Sequence, residues 1–199
     1  MRHSEIREQN QYLLNLQHRF RLAADAVTDA WMTFSFVSAI ALTGSAARLL
    51  WKEVPGFREY RRRGIEVWHE CSDVDLVIWL DSFDQLDALR RAETSALLKE
   101  FKVGTTVSGV ANHQVDTFLF DSTSQQYVGR LCHFNQCPKG KLDCRAPGCG
   151  VIPFNKQIEG FVPDDALLAG AVMLYKRGIG RVGFAAELPQ PNEFSSSLI

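Results

Sequence analysis

Asp73-Val74-Asp75-Leu76-Val77-Ile78-Trp79-Leu80 is the stretch on which the fold turns. After its acidic start it is a run of aliphatic and aromatic residues that fits a buried strand. Residues two apart on a strand share a face, so Asp73 and Asp75 project side by side, while Val74, Leu76 and Ile78 point to the other face. Leaving both carboxylates ionised in so apolar a strand costs several kcal/mol in repulsion and desolvation unless a cation neutralises them. A hard divalent ion such as Mg²⁺, which takes oxygen ligands from a few carboxylates together with substrate phosphates, is the simplest neutraliser.

Upstream, Val37 to Thr43 (VSAIALT) is a second β-rich run that ends at Gly44-Ser45, after which Ala46-Ala47-Arg48-Leu49-Leu50-Trp51 reads helical. A strand, a tight turn and a helix in that order let backbone N–H groups and the Ser45 hydroxyl approach a phosphate, with the helix dipole in support. The same residues also suit an ordinary strand-to-helix turn with Ser45 as N-cap. Downstream, Ser82 and Gln85 have the spacing of a capping box, opening a helix with Phe83, Leu86, Leu89, Leu97 and Phe101 on its inner face. Gln114 to Phe120 (QVDTFLF) alternates as a further strand and places Asp116 in an apolar run. If that strand lies beside the one holding Asp73 and Asp75, three carboxylates converge on a spot able to hold two metal ions ~4 Å apart. Taken singly, each aspartate also fits a turn or a solvent-facing strand position.

In combination, Leu42-Thr43-Gly44-Ser45-Ala46-Ala47-Arg48, Ser72-Asp73-Val74-Asp75-Leu76 and Val115-Asp116-Thr117-Phe118 closely resemble the DNA polymerase β-like nucleotidyltransferase superfamily. The local spelling looks most like the small bacterial members of the antibiotic-modifying and minimal, antitoxin-associated kinds. The resemblance implies an α/β (α+β) fold, a short mixed sheet with helices packed on one face. It further implies that Gly44 and Ser45 hold the β and γ phosphates of an NTP and that Asp73 and Asp75 bind two Mg²⁺ or Mn²⁺ ions. Asp116 would bind the second metal and help deprotonate an acceptor hydroxyl, with pyrophosphate leaving. Arg48 is a candidate contact to the triphosphate. The 29 positions from Gly44 to Asp73 exceed the spacing of compact members, and the excess is an arginine-bearing insertion.

That insertion, residues 53–70, includes Tyr60 and Trp68 and overlaps the stretch from Arg48 to Arg63, which has six cations against two anions. It suits a triphosphate or an RNA acceptor, or a solvated loop. The whole chain of 199 residues has net charge −1, which offers no general attraction to nucleic acid or anionic membrane. An amphipathic helix is expected over 10–34, with Leu13, Leu16, Phe20, Ala23, Val27, Trp31 and Phe34 on one face. Cys132, Cys137, Cys144 and Cys149 form two C-x4-C pairs in the loop 132–149. They are read as one structural, tetrahedral Zn²⁺ site, with unligated thiols or two disulfides as alternatives. Cys71 is read as a buried thiol. A further helix is expected from Pro163-Asp164-Asp165 to Lys176-Arg177, stopped by Gly178, then a loose tail over 189–199. No secretory signal and no apolar run of membrane-spanning length is visible, so a cytoplasmic protein built as one nucleotidyltransferase domain over 1–199 is expected. The alternative function is a catalytically silent module of the same fold that binds RNA or a protein through the cysteine loop and the arginines.

Overall fold

A computed structural model describes residues 3–102, 109–134, 151–158, 160–163 and 165–191. The long N-terminal helix α1 (His3–Trp31) leads into β1 (Val37–Thr43) and a single turn of helix, α2 (Gly44–Ala47). Next come β2 (Lys52–Glu53), α3 (Arg58–Arg63), β3 (Val67–Trp68), β4 (Val74–Leu80) and α4 (Leu86–Lys102). The described chain continues with β5 (Val115–Asp121), β6 (Tyr127–Leu131), β7 (Asn155–Lys156), α5 (Asp165–Leu168), β8 (Val172–Lys176) and β9 (Gly180–Arg181). The fold is mixed α/β, with a seven-stranded sheet in the order β7-β6-β5-β4-β1-β8-β9 and a separate β2-β3 hairpin. Among the described strands, β4 and β5 form the one parallel pair. Parallel neighbours need a long crossover, and α4 is it.

Period-two alternation divides the sheet. Val74, Leu76, Ile78 and Leu80 of β4, with Val115 and Leu119 of β5, join Leu13, Phe20, Val27 and Trp31 of α1 and Leu86, Leu89 and Leu97 of α4 in the main core. The opposite face carries a smaller cluster of Val77, Phe118 and Phe120, flanked by Trp79, Tyr127, Phe161 and Leu167. Asp75 and Asp116 occupy alternate positions with Val77 and Phe118, and so lie on this second face, away from α1 and α4. No helix among the described residues is long and apolar enough to cross a membrane.

Several sequence expectations are corrected. The helix expected to continue through Trp51 stops at Ala47, because carbonyls that would accept its next N–H groups are occupied from α1: Gln17 Nε2 donates to Ser45 O at 3.0 Å and Arg21 Nε to Ala46 O at 2.9 Å. The helix expected from 163 to 177 is only α5; Gly170, with φ +79°, breaks it, and Val172–Lys176 pairs with β1 as a strand. Lys176-Arg177-Gly178 is therefore the β8–β9 turn rather than a helix end. Ser82 makes no capping box with Gln85; its hydroxyl accepts from Asp84 N–H at 3.2 Å, and α4 begins at Leu86. Within the expected loose tail, Pro189 O accepts from Arg21 at 3.1 Å and Gln190 Nε2 donates to Leu14 O at 3.3 Å; residues 192–199 lie outside the described residues.

The insertion at 53–70 has local structure. β2 and β3 form a two-stranded ribbon docked on α1, where Asn10 Oδ1 accepts from Trp68 N–H at 2.9 Å. Beyond it, α3 exposes Arg58, Arg61, Arg62 and Arg63 and is closed by Gly64 in the left-handed conformation. Of the four loop cysteines, Cys132 is buried just after β6, whereas Cys137, Cys144 and Cys149 lie outside the described residues. Cys71 is fully buried, as read from the sequence.

Candidate metal centre

Strand register assembles the site. Thr43 at the end of β1 pairs with Asp75 of β4, and Asp75 pairs with Asp116 of β5, so the three positions lie in a row across adjacent strands. Asp73 precedes β4 by one residue and shares the face of Asp75. Carboxylate oxygens of Asp73, Asp75 and Asp116 all lie within 4.8 Å of one another, and all three residues are half-buried.

Little compensates these charges. Arg130 Nη1 donates to Asp116 Oδ2 at 2.9 Å; among the described residues no hydrogen bond reaches the side chains of Asp73 or Asp75. Burial foremost, then the charges of Asp73 and Asp116, push the Asp75 carboxyl up to about 7, with Arg130 pulling the other way. Three acidic oxygens converging, with a single guanidinium beside them among the described residues, are an oxygen-donor set suited to a hard divalent cation. Mg²⁺ or Mn²⁺ fits the residues present.

The Gly44 turn is built against this cluster. Gly44 has φ +69°, and a Cβ placed there would sit 2.1 Å from Asp75 Oδ2. Only glycine meets both the positive φ and the close approach. Because α2 has four residues, a phosphate at this turn would be held by backbone N–H groups and Ser45 rather than by a helix macrodipole. Ser45 is half-exposed and hydrogen-bonds the thiol of Cys71, which burial pushes above its ordinary pKa. Arg48 caps α2 and is exposed; its Nη2 donates to Ala169 O at 3.3 Å, and none of its contacts is to the carboxylates.

Gly44→Ala is expected to weaken Mn²⁺ binding about tenfold or more by displacing Asp75, and to lower unfolding stability by about 1–3 kcal/mol. Gly64→Ala is the control: φ is +59° there too, but a Cβ meets nothing within 4 Å, so only the backbone penalty applies. Equal Mn²⁺ affinity in the two variants would contradict the close approach.

Reading the sequence missed three supporting groups. Arg130 lies on the same face as Asp116, with its guanidinium 4.4 Å from the Phe118 ring centroid and 5.2 Å from that of Phe161. Gln17 and Arg21 hold the 45–48 backbone from α1, both with 0% exposure. Their positions at i and i+4 were visible, but polar residues at helical spacing ordinarily mark a solvated face. Beyond β5 a cavity of about 340 Å³ opens beside Asp116, with Arg130, His133 and Lys156 among its walls. Behind His133, the fully buried Glu93 of α4 lies 3.3 Å from His133 Nδ1.

No protein-family model, curated protein or solved structure matches the chain.

Proposed function

We propose that the chain is a divalent-metal-dependent nucleotidyltransferase that moves a nucleoside monophosphate from an NTP to an acceptor hydroxyl, releasing pyrophosphate. The observation that carries this reading is the row Thr43–Asp75–Asp116 across three strands, with the Gly44 backbone in contact range of Asp75. Asp73, Asp75 and Asp116 would hold Mg²⁺ or Mn²⁺, which supplies charge neutralisation at the reacting phosphate. The Gly44-Ser45 turn holds the terminal phosphates through N–H groups and the Ser45 hydroxyl. Asp116 takes the proton of the acceptor hydroxyl; the acceptor oxygen bonds to the α-phosphorus as its bond to the β-phosphate bridging oxygen breaks. Arg130 fixes the Asp116 carboxylate for that step. A silent binding module has no physical need for Asp75 to be crowded by two like charges. The four-cysteine zinc site stays part of the proposal as a structural element, resting on residue spacing.

Incubation of the full chain with each NTP, labelled at the α or the γ phosphate, with Mg²⁺ or Mn²⁺ and pools of hydroxyl acceptors tests the reading. Metal-dependent transfer of the α label and not the γ label is expected, and Asp73→Ala and Asp116→Ala should each remove it. Transfer that survives both substitutions, or transfer of the γ label, overturns the mechanism.

A further inference from the structure

We propose that the acceptor is a small hydroxyl compound carrying an oxyanion, a phosphate ester or a carboxylate, bound in the cavity beside Asp116. The proposal rests on the nucleotidyltransferase reading and adds the chemistry of its second substrate.

Sheet order separates two halves of the site. The Gly44-Ser45 turn follows β1, on one side of β4; the cavity lies on the other side, beyond β5, over β6 and β7. A molecule in the cavity therefore meets Asp116 from the side opposite the phosphate-holding turn. Two-substrate transfer needs that arrangement, because the attacking hydroxyl and the departing pyrophosphate lie roughly in line across the reacting phosphorus.

Charge then selects the ligand. Among the described residues the cavity walls carry two permanent cations, Arg130 and Lys156, with His113 and His133 beside them. Among the described residues Asp116 is the one carboxylate lining it, and Arg130 pairs with that group at 2.9 Å. The Lys156 side chain has no ion-pair or hydrogen-bond partner among the described residues, and Arg130 Nε is a buried donor with none. Arg130 is held in place by Asp116 and by the rings of Phe118 and Phe161, so its fork loses little freedom on meeting an oxyanion. Phe134 adds an apolar wall, and about 340 Å³ is at the lower end of small-molecule sites. An amino sugar or polyamine would bring like charge against Arg130 and Lys156.

Four probes of similar size test the selection: phenyl phosphate, benzoate, benzyl alcohol and benzylamine. Each is titrated into the metal-free full chain, and backbone NMR shifts at Arg130, Leu131 and Lys156 are followed. At least one anion should bind saturably, and which of the two does so tells phosphate from carboxylate; benzyl alcohol and benzylamine should bind about tenfold more weakly or not at all. Lys156→Gln should weaken the anion about tenfold, Lys156→Arg should keep it within about twofold, and Lys99→Gln on exposed α4 surface should leave it unchanged. Failure of both anions, equal binding of an uncharged or cationic probe, or no effect of Lys156→Gln overturns the proposal. Mg²⁺-dependent ATP binding that Asp73→Asn removes is measured in parallel. ATP binding without anion binding leaves the proposed function standing and overturns this inference alone. Anion binding without ATP binding overturns the proposed function and, with it, the acceptor role of the cavity.

Discussion

Asp75→Asn is expected to make the metal-free protein more stable above pH 7 and to reduce nucleotide transfer about a thousandfold. The two effects have one origin. Asp75 ionises near 7 in the fold against an ordinary 3.8, because burial and the charges of Asp73 and Asp116 penalise its anion. Below pH 3.8 it is neutral in the folded and the unfolded chain alike. As pH rises, the unfolded chain releases its proton first, so stability falls progressively and the deficit is complete above about 7. A displacement of that size corresponds to at most about 4 kcal/mol, and partial exposure of the carboxyl reduces it to about 2 kcal/mol. Asparagine carries no charge, so its Tm at pH 8 without metal should exceed wild type by about 4–8 °C, and the difference should vanish near pH 4. Mn²⁺ should raise the wild-type Tm by mass action and leave that of the variant nearly unchanged. A metal worth several kcal/mol in the transition state, at about 1.36 kcal/mol per tenfold, gives the expected loss of transfer. A variant that is less stable than wild type at pH 8 without metal, or that transfers nucleotide normally, contradicts this account. Stability gained by removing a group is the mark of a site strained for function.

The same crowding explains why this half of the site was legible in the sequence. Asp75 and Asp116 interrupt apolar strands and Asp73 stands immediately before one, and a charge in such a run demands a reason that neither burial nor exposure supplies. β1, β4 and β5 were legible too, since alternation is local. β8 was not: Asp165 at one end and Lys176-Arg177-Gly178 at the other match the charge preferences of a helix, and only pairing with β1 makes Val172–Lys176 a strand. Nor was the shortness of α2 readable. Ala-Ala-Arg-Leu-Leu are good helix formers, and what ends the helix comes from residues some thirty positions earlier. The cavity beyond Asp116 is assembled from β5, β6 and β7, so its basic residues are scattered from His113 to Lys156 and form no cluster in the chain.

Arg21→Met is expected to be the most destabilising single change among the polar residues of α1. Gln17, Arg21, Asp25 and Thr28 form a stripe one helical step apart, and all four are buried. Asp25 accepts from the backbone N–H groups of Ala185 and Ala186, both at 2.9 Å, and from Arg181. Arg21 is fully buried and directs its guanidinium at four carbonyls: Ala46 at 2.9 Å, Arg48 at 3.0 Å, Leu188 at 2.8 Å and Pro189 at 3.1 Å. It thereby ties the backbone after the Gly44-Ser45 turn to the C-terminal segment through α1, and burial holds its pKa below the ordinary guanidinium range. Methionine fills a similar volume without donors. Arg48 O keeps Gln17 at 2.8 Å, but the carbonyls of Ala46, Leu188 and Pro189 lose the guanidinium. The Ala46 acceptor is buried and those of Leu188 and Pro189 part-buried; leaving such an acceptor unpaired costs about 1–3 kcal/mol, less where water enters, so a net loss of about 3–5 kcal/mol is expected. For a chain of this length that lowers Tm by roughly 10 °C, read by circular dichroism, with a matching fall in the urea midpoint. Arg21→Lys should fall between the two, since an ammonium cannot span four acceptors as the planar fork does. Mn²⁺ affinity should fall as well, because the turn that faces Asp75 loses its anchor from α1. A loss below about 1 kcal/mol would mean that water replaces the guanidinium at these carbonyls, and that the turn is held by Gln17 and the sheet alone.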